Sequence, residues 1–158
     1  MTNKPDQETA FLKMTRYCAW QERAPEEVRK KLEKFELDHT DKEEIIDRLL
    51  DENFLDEERF ARFFTGGKFR MKRWGKIKIS VHLRQKGISD AIIDKVINEE
   101  IDPDTYYKVI KEESHKKYNE VKDDSLIEKK SKVIRFLQSR GYENELVFKA
   151  CDETLKAE

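Results

Sequence analysis

Apolar residues in this chain recur three or four positions apart in short runs, and polar breaks separate nine such runs. That period predicts amphipathic helices, and no stretch alternates in the way a strand would. The first run, Gln7 to Glu22, places Phe11, Met14 and Cys18 on one face with Tyr17 beside them, and residues 1–6 ahead of it are expected to be loose. Pro25 suits the first position of a second helix, Pro25 to Phe35, with Val28 and Leu32 inward. Thr40 and Glu43 have the spacing of a capping box for a third helix, Asp41 to Glu52, which buries Ile45, Ile46, Leu49 and Leu50. Asp56 caps Glu57 to Arg73, with Phe60, Phe63 and Phe64 inward and Trp74-Gly75 as its end. Lys76 to Lys86 follows with Ile79 and Leu83 buried, and Gly87 supplies a left-handed stop. Ser89 then caps a helix through Asn98 carrying Ile92, Ile93, Val96 and Ile97. Asp102-Pro103 starts a long charged helix to Val121, with Tyr106, Tyr107, Val109 and Ile110 near its beginning. Asp124 or Ser125 opens the eighth, containing Ile127, Val133, Ile134 and Leu137 and stopped by Gly141; the ninth, Asn144 to Leu155, turns Leu146, Val147, Ala150 and Cys151 inward.

The nine runs fall into three sets. Leu32-Glu-Lys-Phe-Glu-Leu37, Leu83-Arg-Gln-Lys-Gly-Ile88 and Leu137-Gln-Ser-Arg-Gly-Tyr142 occupy equivalent places at a nearly constant interval. Each is followed by a cognate helix: Ile45-Ile-Asp-Arg-Leu-Leu50, Ile92-Ile-Asp-Lys-Val-Ile97 and Leu146-Val-Phe-Lys-Ala-Cys151. Such a recurrence is the mark of a repeat protein, in which neighbours complete each other's small cores. The fold class expected is all-α: three tandem three-helix-bundle repeats, 7–54, 55–100 and 101–158, forming an elongated, curved array.

Charge changes the picture. From Arg59 to Ser89 there is no Asp or Glu, yet ten cations stand there: Arg59, Arg62, Lys68, Arg70, Lys72, Arg73, Lys76, Lys78, Arg84 and Lys86. The chain carries 33 basic and 34 acidic residues, which leaves 23 basic against 34 acidic elsewhere. A solvated helix normally mixes signs to make i,i+4 pairs. A basic middle in an acidic body instead creates a local positive potential suited to a polyanion. The plain alternative is a set of ordinary solvated lysines.

Composition narrows the class. An apolar fraction of 37% with 42% charged residues, five Gly and three Pro suits an extended helical protein with a thin core. No apolar run approaches the ~20 residues that span a bilayer, and the N-terminal segment has no signal-like apolar region, so no membrane association and a cytoplasmic location are expected. Cys18 and Cys151 match no metal or redox spacing and are expected as small buried residues in a reducing compartment; the three histidines are isolated, so neither metal nor cofactor is expected. Ser80 and His82 are two apart on a helix and do not face each other, and no phosphate loop or carboxylate pair stands out, so no enzyme is expected.

Asp56-Glu-Glu-Arg-Phe-Ala-Arg62, the basic helix, Trp74-Gly75 and Ile79-x-x-x-Leu83-x-x-Lys86-Gly87-Ile88 together resemble the RecX family of recombinase regulators. Glu44 to Leu55 fits the family's approach to that motif, and the three-unit organisation agrees more weakly over the whole chain. The resemblance implies a bacterial, monomeric, non-catalytic protein that lies in the groove of the RecA recombinase filament on DNA. It further implies restraint of ATP hydrolysis, strand exchange and co-protease activity. Two departures are visible. Gly66-Gly67 interrupts the basic helix at a place where it could bend or fray, and the first unit lacks a Lys-Gly stop and has a longer loop.

The residues proposed from sequence to contact the recombinase or DNA are Lys68, Arg70, Lys72, Arg73, Lys76 and Lys78, followed by Arg84 and Lys86. Arg59 and Arg62 serve equally well as surface partners of Glu57 or nearby acids. Trp74 is expected to pack the helix junction rather than to stack on a base. Two other functions fit the pattern. The turn Gln85 to Ser89 resembles a helix-turn-helix, but the helix that would read bases, Asp90 to Asn98, has only Lys95 as a cation, which favours sequence-independent single- or double-stranded DNA binding over groove reading. A helical scaffold docking an acidic protein is the other.

Overall fold

The computed structural model describes residues 4–122 and 125–157, and among them the chain is all-helical. The elements are α1 (Lys4–Trp20), α2 (Pro25–Leu32), α3 (His39–Asp51), α4 (Glu57–Lys72), α5 (Lys76–Gln85), α6 (Asp90–Glu100), α7 (Pro103–Glu120), α8 (Leu126–Ser139) and α9 (Asn144–Ala157). All nine expected helices are present. They gather into two compact units, one of residues up to Phe63 with Leu83–Val96, the other of Phe64–His82 with Ile97 onward. Each division falls inside a helix, so α4, α5 and α6 each belong partly to both.

In the first unit the expected apolar faces meet. Phe11, Met14 and Cys18 of α1, Val28 and Leu32 of α2, Ile45, Ile46 and Leu49 of α3, and Leu55 form one buried cluster. Leu50 and Tyr17 pack at its margin. Two start signals differ from expectation. Helix α1 begins at Lys4, so residues 4–6 are helical rather than loose, while 1–3 lie outside the described residues. Proline in a first turn gives up only an N–H that has no intrahelical acceptor, and Asp6 complements the helix dipole there. Helix α3 is capped by Asp38, whose carboxylate accepts the Asp41 N–H at 2.8 Å, and Thr40 already lies inside the helix. Glu43 does not close a capping box because it meets the Arg29 guanidinium through two bonds of 2.8 and 2.9 Å. A charged fork outcompetes a lone backbone N–H for that carboxylate.

In the second unit α7, α8 and α9 pack on one another around Tyr106, Ile110, Val133, Leu137, Tyr142, Val147, Ala150 and Cys151, all buried. Ser114 and Thr154, also buried, satisfy each other at 2.8 Å. Asp102 caps α7 and Ser125 caps α8; Asp124, the other candidate, lies outside the described residues. Ile127, one of the apolar residues of α8, is 82% exposed. It shares a helix line with the half-buried Ile134, the margin of a buried face whose centre is Val133 and Leu137. Phe63, expected to face inward, is half-exposed while Phe60 is buried.

Candidate functional site

The acid-free stretch folds as the second half of α4, a tight turn and α5. Helix α4 runs through Gly66-Gly67 without a break. A Cβ at Gly67 would meet nothing within 4 Å, so no steric need accounts for the glycine. The helix ends one residue earlier than expected, at Lys72, by a left-handed residue that is not glycine: Arg73 has φ 56°. The Arg73 N–H donates to Phe69 O and the Trp74 N–H to Lys68 O, both at 3.0 Å, which closes the last turn. Arginine in that conformation is held at a cost, so other contacts must fix it.

Those contacts come from α7 and the α8–α9 turn, all within the second unit. Tyr142 donates its hydroxyl to Arg73 O, and Arg140 donates to Lys72 O at 2.9 Å. The orphan donors that open α5 are met in turn. The Gly75 N–H reaches Arg140 O at 2.6 Å, the Lys76 N–H reaches the Tyr106 hydroxyl at 3.0 Å, and the Ile77 N–H reaches Gly141 O at 3.0 Å. Tyr106 donates onward to Glu143, and burial, with that bond to a carboxylate second, holds its phenol above the usual range. Gly75 and Gly141 make this approach possible: a Cβ on Gly75 would lie 2.3 Å from the Gly141 carbonyl group. Both ends of the α4–α5 turn are therefore tied down by side chains distant in sequence. Nothing local in the sequence marks Tyr106, Arg140, Tyr142 and Glu143 for this role; the one available signal is that buried tyrosines seek a partner for the hydroxyl.

The eight candidate cations divide by location and by partner. Lys68, Arg70, Lys72, Arg73, Lys76 and Lys78 lie in the second unit, Arg84 and Lys86 in the first. Arg70 pairs with Glu100 at 3.6 Å and Arg73 with Glu112 at 3.0 Å. Arg84 pairs with Asp90 at 2.7 Å and Lys86 with Glu27 at 3.5 Å. Lys68, Lys72, Lys76 and Lys78 have no carboxylate partner among the described residues. Three of the four sit on aromatic rings instead. Lys68 Nζ is 4.8 Å and Lys78 Nζ 4.4 Å from the centroid of Trp74, and Lys76 Nζ is 4.7 Å from that of Tyr106. Trp74 is built into the junction, edge-on to Phe64 at 6.2 Å and 4.6 Å from the His82 ring, which is the packing role expected of it. Arg59 and Arg62 bond to Glu22 and Glu58 as ordinary surface partners.

No group of three or more His, Cys, Asp or Glu among the described residues could hold a metal ion, and no described helix is long and apolar enough to cross a membrane.

Comparison with known proteins decides the family. Residues 56–97 match the description "RecX, second three-helix domain" and residues 104–151 match "RecX, third three-helix domain". The chain belongs to the RecX family. Among curated relatives it is 28% identical over 152 residues to the regulatory protein RecX of Chlorobium phaeobacteroides, covering 96% of this chain and 97% of that one. It is 36% identical over 104 residues to the RecX of Clostridium tetani, covering 63% of this chain and 46% of the relative. It is 31% identical over 119 residues to that of Clostridium acetobutylicum, covering 73% and 55%. The chain thus spans nearly all of the first and about half the length of the two clostridial proteins. The crystal structure of RecX from Lactobacillus salivarius aligns with a TM-score of 0.83 at 21% identity, covering 96% of this chain and 98% of that one. A second, the crystal structure of regulatory protein RecX, gives 0.83 at 23%, covering 97% and 72%. At such identities these two show the shared all-α helical repeat fold. The RecX second domain coincides with the stretch that carries the four lysines seated away from carboxylates.

Proposed function

We propose that this chain is a regulator, mainly negative, of a RecA recombinase, one that binds the RecA–DNA filament in its groove and restrains ATP hydrolysis, strand exchange and co-protease activity. We read it as three tandem repeats, 7–54, 55–100 and 101–158, acting as a monomer in the cytoplasm. Membership of the RecX family supports the partner. The observation that carries the surface is the acid-free stretch, held at both ends of its turn and presenting four lysines without carboxylate partners among the described residues. Lys68, Lys72, Lys76 and Lys78 are the charges available to a filament at once. Arg70, Arg73, Arg84 and Lys86 join them only as their own ion pairs open, an exchange that costs little at exposed sites.

Regulation follows from differential binding. A protein that contacts several protomers in one filament geometry, and fits the other geometries of the hydrolysis cycle less well, slows passage through the cycle. No catalytic group is needed.

The test is single-stranded-DNA-dependent ATP hydrolysis by a RecA from a related bacterium, with this protein titrated in beside a Lys68→Ala, Lys72→Ala, Lys76→Ala, Lys78→Ala variant. Suppression well below one molecule per protomer, weakened at least tenfold in the variant, is the expected result. Suppression only at amounts that coat the DNA, or none, would sink the filament reading.

A further inference from the structure

We propose that Lys68 and Lys78, seated on the indole of Trp74, form a phosphate site for the backbone of single-stranded nucleic acid. This deepens the reading above by assigning its DNA-facing half to two named side chains, and its test contains no recombinase. Three observations carry it. The two ammonium groups come from successive helices yet converge on one ring, at 4.8 and 4.4 Å from its centroid. Neither has a carboxylate partner among the described residues; Lys78 makes one longer contact of 3.5 Å to Ser139 O, and Lys68 also approaches the Phe64 ring at 5.5 Å. The platform beneath them is fixed, because Trp74 lies against Phe64 and His82 and the adjoining turn is tied down by Tyr106, Arg140 and Tyr142.

The division between lysine and arginine points to phosphate rather than to an acidic protein. Carboxylate partners of the stretch have gone to Arg59, Arg62, Arg70, Arg73 and Arg84, whose planar forks match a carboxylate, and to Lys86. The lysines left over are compact point charges with rotatable donors, suited to a chain of phosphates whose orientation varies. A cation resting on an aromatic ring at a half-exposed site is held weakly and exchanges readily for a phosphate contact. The indole, already packed against two rings and covered by the two ammonium groups, acts as their seat rather than as a stacking surface. Binding draws the ammonium groups off the ring, so Trp74 itself reports occupancy.

The chain has two tryptophans, and Trp20 is 88% exposed, so Trp20→Phe leaves Trp74 as the sole indole with no core disturbed. That variant is titrated with oligo-dT at several salt concentrations while Trp74 emission is followed. The expected result is a saturable emission change whose affinity falls steeply with salt. Adding Lys68→Gln and Lys78→Gln should weaken binding at least tenfold at low salt and make the slope of log K against log salt shallower by about 1.4, the share of two phosphate contacts on a single strand. Adding Lys30→Gln and Lys116→Gln instead removes the same charge outside the stretch and should leave the slope unchanged. Parent-like affinity and slope in the Lys68 and Lys78 variant would overturn the proposal. So would an equal emission change with poly-glutamate at matched charge, which would assign the site to an acidic protein surface.

Discussion

Gly141→Ala tests the contact that holds the basic turn in place. Gly141 has φ 91°, and a Cβ added there would lie 2.3 Å from Lys78 Cβ and 2.6 Å from Lys78 N. The left-handed conformation alone costs an alanine about 1–2 kcal/mol. Relieving the overlap moves the start of α5 off the α8–α9 turn, which breaks Ile77 N–H to Gly141 O and Gly75 N–H to Arg140 O. Each such bond contributes about 1 kcal/mol net, so the whole loss comes to about 3–4 kcal/mol. Urea unfolding followed by circular dichroism, and by Trp74 emission in the Trp20→Phe background, reads this directly. Gly67→Ala is the counterpart: its Cβ meets nothing within 4 Å and the site is a helix interior, so that change should stabilise by about 0.5–1 kcal/mol. A Gly141→Ala loss below about 1 kcal/mol, smaller than the backbone term alone, would refute the close approach. Destabilisation by Gly67→Ala would show that something covers that face.

Other outcomes follow from single groups. Tyr142→Phe removes the hydroxyl that donates to Arg73 O and should cost about 1–2 kcal/mol in the same urea assay, more than Tyr118→Phe at a half-buried position of α7. Burial pushes the Cys18 thiol up to about 11 from an ordinary 9.0, so the folded state keeps a proton that the unfolded state releases. Stability from this group is complete below pH 9 and is lost as pH rises towards 11; Cys18→Ala should flatten that part of the profile, and the native thiol should resist alkylation at pH 8. The Arg29 guanidinium bonded to Glu43 holds that carboxyl below its usual range, so its stabilisation is present above pH 4.5 and is lost as pH falls through the lowered value. The pair is half-exposed, so Glu43→Gln should cost less than about 1 kcal/mol at pH 7, with the difference from the parent disappearing in acid melts.

Helix starts show how far sequence reasoning reaches. Asp102-Pro103 and Ser125 were readable because cap and first turn are neighbours in the chain. Thr40 and Glu43 had equally good spacing, yet Asp38 caps the helix and the Glu43 carboxylate is bonded to Arg29 on the preceding helix. Phe63 and Ile127 had apolar side chains at plausible positions, but a helix face has margins, and only packing decides what lies over them. The candidate cations show the same limit. Which of the ten is paired depends on where Glu22, Glu27, Glu58, Asp90, Glu100 and Glu112 arrive in space.

What the sequence alone determined was local or statistical: nine helices from a period of three to four, their stops at Gly87 and Gly141, a threefold recurrence of one helical pattern, and a stretch without acids. Each depends on residues close together in the chain, or on patterns of them, where backbone geometry leaves few choices. Tertiary structure decided which cations remain available and what holds them. The left-handed Arg73, the closely approached Gly75 and Gly141, and the tyrosine hydroxyls on the α4–α5 turn join positions far apart in sequence. No local preference encodes such contacts; they exist because every backbone donor and acceptor shut away from water must find a partner wherever the fold brings one.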